Sequence, residues 1–326
     1  MRQSLVDVKR AALLALWLLG AALGPSDASF AAAGSCGRAC LRGVLDQYLA
    51  AVFRHDPQAA PLAADARTTQ NAVMLAAGQG IWRTASGYGP VQRRFFDPRS
   101  GQAAYFGLLM EGSEPAIVSL RIKVAHAKIT EAEWTIARKS AGGMFSSDGL
   151  TALPPPADTP LPAAERTPRA QMIAAANAYF QGLQLHDGSA VPHIAGCERV
   201  ENGFRVTNRA MPARAAAAAP AAQPAAGNAV PSRAQEVLAG DCVANFQMFA
   251  HSILTTTHRR FPLVDEQAGV VMGTTLFHRP PESTMKRNLL TEYFFVRDGK
   301  IAAIYAAMYY LDPGAPDSSG WSAGTD

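Results

Sequence analysis

No G-x-G-x-x-G opens a helix after a strand in this chain, and neither a Walker loop nor an H-E-x-x-H pair occurs. These absences remove the usual cradles for a nicotinamide, a nucleotide phosphate and a catalytic zinc, and no cofactor is expected. Charge is also sparse: 17% of the 326 residues are charged and the formal net charge is +4. Lys and Arg are scattered. Arg93-Arg94 and Arg259-Arg260 sit beside apolar strand-like residues instead of forming a basic stripe, so no nucleic-acid partner is expected. There are only four cysteines, and the C-x-x-x-C pair has no nearby histidine, which argues against a bound metal.

The N-terminus carries Arg2, Lys9 and Arg10, then an apolar run from Ala11 to Leu23, then small residues from Ala28 to Gly34. That order is the layout of a cleavable secretory signal, over residues 1–33. The run is shorter than the ~20 residues a spanning helix needs. The mature protein is therefore expected outside the cytoplasm, periplasmic or extracellular, without a membrane anchor. In such a compartment cysteines form disulfides. Cys197 and Cys242 bracket an insertion and are expected to pair. Cys36 and Cys40, four apart, are free to bridge each other or a partner chain.

The main positive feature is a duplication. Tyr48, His55, Asp56, Pro61 and Asn71 recur as Tyr179, His186, Asp187, Pro192 and Asn202, and each pair differs by 131 (179−48, 186−55, 187−56, 192−61, 202−71). A fixed offset through five residues indicates two copies of one module, each long enough to own a core. The first occupies 34–140 and the second 169–313. A Pro/Gly-rich linker spans 141–168, an Ala/Pro-rich insertion spans 211–233, and a flexible tail spans 314–326.

Each copy opens with an amphipathic helix: Leu41, Val44, Leu45, Tyr48, Leu49 and Val52 in the first, and Met172, Ile173, Ala176, Tyr179, Phe180 and Leu183 in the second. The His-Asp pairs are expected to end these helices. Strand-like runs follow at Ala103–Met110, Ala116–Val124 and Ile129–Ala137, then at Arg260–Val264, Val270–His278, Leu289–Val296 and Ile301–Leu311. Arg297-Asp298-Gly299-Lys300 reads as a tight hairpin turn. Helices followed by strands predict an α+β class with helices on one face of a curved antiparallel sheet.

At this point the residues resemble a known group. Cys40-Leu41 through Asp46-Gln47-Tyr48-Leu49, His55-Asp56-Pro57, Gly80-Ile81-Trp82-Arg83-Thr84-Ala85 and Leu120-Arg121-Ile122-Lys123-Val124 resemble an uncharacterised secreted family of fungi and bacteria. That family resembles tandem nuclear transport factor 2-like domains, a superfamily that includes polyketide cyclases, steroid isomerases and dehydratases. The segments Arg260 to Val270 and Thr291 to Ile301 are similar to it in style. The resemblance implies two tandem cone-shaped domains, each with an apolar pocket between helix and sheet. It leaves the reaction open, because function lives in the site and not in the fold.

Superposing the final hairpins, Lys128-Ile129 on Lys300-Ile301, gives an offset of 172 (300−128). Leu120 then matches Glu292, so the second module has a carboxylate where the first is aliphatic. A carboxyl in an apolar pocket has its pKa raised by desolvation, which suits general acid–base work. Glu292, His278 and Tyr293 are the candidate catalytic residues. Arg260, Asp265, His193 and Asn202 are candidate substrate contacts, with His193 and Asn202 on a loop between helical pieces.

Together these readings predict a secreted, cofactor-independent lyase or hydrolase for an apolar aromatic substrate. Its most concrete form is cleavage of a lignin-type β-aryl ether. The rival expectation is a non-catalytic ligand-binding or dimerisation module of the same fold, and a third is a homo- or heterodimer linked through Cys36 or Cys40 whose active pocket the partner completes.

Overall fold

A computed structural model describes residues 36–208 and 240–321. The signal segment 1–33 and the Ala/Pro insertion 211–233 lie outside the described residues.

The first module begins with helix α1, Arg38–Phe53, whose predicted apolar stripe is buried. His55 ends the run in the left-handed region at φ 56°, and Asp56 Oδ1 accepts from the backbone N–H of Gln58 and Ala59. Helix α3, Arg169–Leu185, ends in the same way at His186, also φ 56°. The duplicated His-Asp pairs are thus helix stops.

Six strands follow α1: β1 Leu62–Gln70, β2 Val73–Leu75, β3 Ala85–Asp97, β4 Gln102–Glu111, β5 Glu114–Ala125 and β6 Lys128–Arg138, in the order β2-β1-β6-β5-β4-β3. Six strands also belong to the second module: β7 His193–Glu201, β8 Phe204–Arg205, β9 Thr255–Asp265, β10 Val270–His278, β11 Asn288–Arg297 and β12 Lys300–Tyr310, ordered β8-β7-β12-β11-β10-β9. The class is α+β with two modules, as predicted, but the sheets are mixed and not purely antiparallel. β1 runs parallel to β6, and β7 runs parallel to β12. The strand β7 also replaces the predicted loop that was to carry His193 and Glu201.

Register confirms the duplication. Gln70 pairs with Trp134 and Glu201 with Ala306, while Leu120 pairs with Trp134 and Glu292 with Ala306. The offsets are 131 (201−70) and 172 (306−134, 292−120). The difference, 41, is made up of 37 residues inserted between β8 and β9 (273−105 = 168; 168−131 = 37) and 4 between β10 and β11 (172−168).

Because side chains alternate along a strand, each sheet has two apolar faces. One packs on its own helix: α1 against Leu120, Ile122, Trp134 and Ile136, and α3 against Leu290, Phe294, Val296 and Ile304. The other faces the partner sheet, and Phe95, Phe106, Met272, Tyr293, Phe295 and Tyr305 form one shared cluster.

The stretch expected to be a linker joins this cluster. Helix α2, Ser147–Ala152, is capped by Ser146 Oγ, which accepts from Gly149 N at 3.0 Å, and it inserts the fully buried Leu150. The expected frayed tail also packs, as far as Trp321. That indole is 4% exposed, donates to Thr69 Oγ1 at 2.8 Å, and lies under the guanidiniums of Arg67 and Arg121.

Polar groups join the modules reciprocally. Arg38 Nη1 of α1 reaches Asp265 Oδ1 at the end of β9 (2.8 Å), and Arg169 Nη1 of α3 reaches Asp97 Oδ2 at the end of β3 (2.6 Å). Asp265 also accepts from Phe96 N, and Asp97 from Val264 N. These pairs keep the 131 offset of the two helices (169−38) and the 168 offset of β3–β4 onto β9–β10 (265−97). Deeper in, Glu133 is shared by Arg121 at 2.8 Å and Arg260 at 2.5 Å. Burial pushes the Glu133 pKa up, but the two guanidiniums outweigh it and hold the carboxylate below its ordinary value.

Cutting one side of the exchange leaves an arginine unpaired and buried N–H groups without acceptors. Asp265→Ala is expected to lose about 2–4 kcal/mol. Asp46→Ala, which breaks an ion pair with Arg94 whose carboxylate is 44% exposed, should lose under about 1 kcal/mol. Equal losses in urea denaturation of the two variants would contradict this ranking.

Candidate functional site

On β11, residues 290, 292, 294 and 296 face α3. Glu292 therefore lies on the helix side of its sheet, in a row with Gly273 of β10, Ala306 of β12 and Glu201 of β7. The row next to it holds Val271, Phe294, Ile304 and Arg199. The corresponding row of the first module is Tyr105, Leu120, Trp134 and Gln70. There the interior is plugged: Trp134 Nε1 donates to Tyr48 OH, and Trp82 meets the Tyr48 ring edge-on at 5.3 Å. Gln70 is occupied as well, accepting from Ile81 N. The second module replaces these bulky groups with Gly273 and Ala306 and puts a carboxyl between them.

Glu292 is 1% exposed, and its Oε2 is buried without a hydrogen-bond partner. Desolvation raises its pKa to about 8, the Glu201 charge adds to the rise, and Arg199 partly offsets it. Arg199 is fully enclosed. Its Nε lies 3.0 Å from Glu201 Oε1, its Nη1 donates to Tyr179 OH at 3.2 Å and to Cys242 O at 3.3 Å, and its plane lies over the Phe249 ring. Tyr179 is the repeat of Tyr48, so the same helical tyrosine serves an indole in one module and a guanidinium in the other.

A cavity of about 100 Å³ opens beside this group, lined by Tyr179, Leu183, Arg199, Glu201, Phe249, Phe277, Met308 and Tyr310, with Arg279, Met285 and Asn288 among the remaining lining residues. Glu292 does not itself line it, although its charged neighbours Arg199 and Glu201 do. The disulfide Cys197–Cys242 ties the segment bearing Phe249 to β7. A larger open groove of about 560 Å³ lies elsewhere, along Gln70, Val73, Arg83 and Tyr309. Its lining includes neither Arg199 nor Glu201, the charged neighbours of Glu292, so the smaller cavity is the candidate.

Several predicted site residues lie elsewhere. Alternation puts His278 on the opposite face from Phe277, where its Nε2 meets Thr257 Oγ1 at 2.8 Å and Asp317 at 3.3 Å. Tyr293, next to Glu292, likewise points the other way; its hydroxyl bonds Ser119 Oγ at 2.8 Å between the sheets. Arg260 and Asp265 are committed to the module interface described above. His193 lines a separate depression with Asp187, Ser189 and Phe246, and its Nδ1 is 2.9 Å from Val191 O. Asn202 clamps backbone, donating to Met144 O and Met308 O and accepting from Met308 N. Asn71 does the same for Ile136.

All four cysteines pair within the chain, Cys36 with Cys40 and Cys197 with Cys242. No thiol remains for the expected link to a partner chain. The two disulfides fit an oxidising compartment, and no helix among the described residues is long and apolar enough to cross a membrane. One motif escaped the sequence reading: Gly320-Trp321-Ser322-Ala323-Gly324 has G-x-S-x-G spacing. It follows the last described strand, Trp321 is buried against the first module, and Ser322, Ala323 and Gly324 lie outside the described residues.

The raised carboxyl pKa has a defined effect on stability. The folded state holds the Glu292 proton up to about pH 8, whereas the unfolded chain releases it near pH 4.3. Its stabilising contribution is therefore complete below the unfolded value and declines as pH rises, levelling off above about 8. Glu292→Gln should leave the melting temperature nearly unchanged at pH 5 and raise it at pH 8. A variant less stable than wild type at pH 8 would show that the carboxylate has an ionic partner.

Residues 165–308 match the model of a family described as a domain of unknown function, DUF8021. No curated protein matches the chain. The matched span runs from before α3 into β12 and contains Glu292, Tyr179, Arg199, Glu201, Arg279 and Asn288, while Met144 and Tyr310 of the cavity lining fall outside it.

Proposed function

We propose that the second module is a cone-shaped, small-molecule site of the nuclear transport factor 2-like type, and that the first module is its plugged structural partner. The observation that carries this reading is the exchange of Tyr105, Leu120 and Trp134 for Gly273, Glu292 and Ala306 at matching register. A buried carboxyl oxygen without a hydrogen-bond partner is costly, and the nearby Arg199 charge offsets that cost only in part. A carboxyl of pKa about 8 is suited to transferring protons near neutral pH.

The reading extends to a secreted, cofactor-independent lyase. A rotamer change brings the free Oε2 to the cavity, where the ionised carboxylate takes a proton from a carbon of the substrate. The C–H electron pair becomes a C=C bond, the adjacent C–O bond breaks, and the leaving aryloxide takes up the proton that Glu292 removed, which restores the carboxylate. Arg199 and the Tyr179 hydroxyl, and not Arg260 and Tyr293, stand where they can steady developing negative charge. A cavity of about 100 Å³ is below the ~300 Å³ at which sites for drug-sized ligands begin. A substrate with one aromatic ring therefore fits better than a dimeric aryl ether, which requires the rim to open.

The test is turnover by the mature protein of a panel of single-ring β-aryloxy compounds beside a dimeric lignin ether, without added cofactor. For an accepted substrate, kcat/KM should rise with pH and level off near 8, and Glu292→Gln should lower it by about a hundredfold or more. Turnover that survives the substitution unchanged would remove Glu292 as the base.

A further inference from the structure

The mouth of the cavity is chemically different from its interior. Arg279 begins the β10–β11 connection and lines the cavity with Asn288, the first residue of β11. Its nitrogens donate to Lys286 O, Ser252 O and Asn288 Oδ1, all uncharged acceptors. Among the described residues no carboxylate lies within ion-pair distance of it, although burial works against its charge. Accepting from Arg279 fixes the Asn288 amide, because the flipped orientation would set donor against donor. The remaining Nδ2 is then left buried without a partner in a residue that is 1% exposed. Such groups are normally satisfied in a folded protein. An unpaired guanidinium beside an unused amide donor forms a site lacking its acceptor.

The charge balance agrees. Arg199 is paired with Glu201. With Glu292 carrying its proton, the lining retains one uncompensated positive charge, on Arg279. Between the two ends the wall is apolar and aromatic, formed by Tyr179, Phe249, Phe277, Met308 and Tyr310. Asn288 and Glu292 lie on one face of β11, four residues and thus about 13 Å apart along the strand.

We infer that the ligand of this cavity is an elongated aromatic monocarboxylate, its carboxylate held at the mouth by Arg279 and Asn288 Nδ2 and its ring lying along the apolar wall toward Glu292. This rests on the reading of the cavity as a ligand site and specifies the class of molecule that enters it. Arg279 and Asn288 are binding residues here, about a strand's half-length away from the carboxyl that moves the proton.

The experiment compares 3-phenylpropanoate with its neutral amide, 3-phenylpropanamide, by calorimetric titration of the mature protein at pH 6.5. The acid should bind at least about tenfold more tightly, as expected for a hydrogen-bonded charge against its neutral analogue. Arg279→Gln should abolish that preference while the amide affinity stays within about twofold. Asn288→Asp is the second variant. It keeps the acceptor that Arg279 uses, so the connection is preserved, and it places an internal counter-ion at the mouth; it too should lose the preference. Circular dichroism melts establish that each variant is folded. Equal binding of acid and amide by wild type, or a preference that survives both substitutions, overturns the carboxylate assignment and leaves the cavity as a ligand site. Binding of neither compound overturns both.

Discussion

A six-stranded sheet has two faces to cover, and among the described residues each module owns only one long helix. Alternation along β5 and β11 places apolar side chains on both faces, so the face turned away from the helix must be buried by something else. Here it is the other module. The requirement explains why Phe95, Phe106, Tyr293 and Phe295 form a single cluster drawn from both sheets. It also explains why the connecting stretch sends Leu150 into the same cluster. The Arg38–Asp265 and Arg169–Asp97 exchange then fixes how the sheets meet, since each aspartate also accepts a backbone N–H from the opposite module. Directional polar bonds give orientation to what apolar packing alone would leave free to slide.

Pairing within one chain also uses up the sheet face through which separate copies would otherwise associate. A duplicated module held in cis can diverge in a way that a symmetric pair cannot. The first copy fills its interior with Tyr48, Trp82, Tyr105 and Trp134. The second gives up that packing for Gly273, Ala306, an enclosed arginine and an unpartnered carboxyl. Such a vacancy lowers stability, and a partner with a dense aromatic core can carry the loss. Under the proposed function, stability and chemistry are thereby divided between two halves of similar topology.

The fold was legible because its signals are local. The three-four spacing of α1 and α3, the Asp298-Gly299 turn and the alternating runs of β4 to β6 and β10 to β12 each fall where the residues put them. β1, β3 and β7 were not legible. Leu62–Gln70 and His193–Glu201 are polar along much of their length, because they lie near a sheet edge where neither face is wholly covered. Glu292 was found by comparing the two copies, and the same comparison held further information. Subtracting 131 from Arg199 and Glu201 gives Thr68 and Gln70, an ion pair set against two neutral residues. His278 and Tyr293 were misplaced for one reason. Alternation sets each on the face opposite its inward neighbour, Phe277 for His278 and Glu292 for Tyr293.

That parity also gives the cavity its direction. Asn288 and Glu292 share a face because they are four residues apart, so one strand carries both ends of the site, separated by Leu290 and the apolar wall. The carboxyl end is buried and favours the neutral form of its group; the other end holds an arginine with no carboxylate among the described residues within ion-pair distance. A molecule with one anionic and one apolar end can satisfy both environments in only one orientation. Reversing it would bury its charge against a carboxyl that is itself hard to ionise, and would leave Arg279 and the Asn288 amide unanswered. The arrangement therefore selects pose as well as ligand, setting the part of the molecule farthest from its charge beside the group that can exchange a proton.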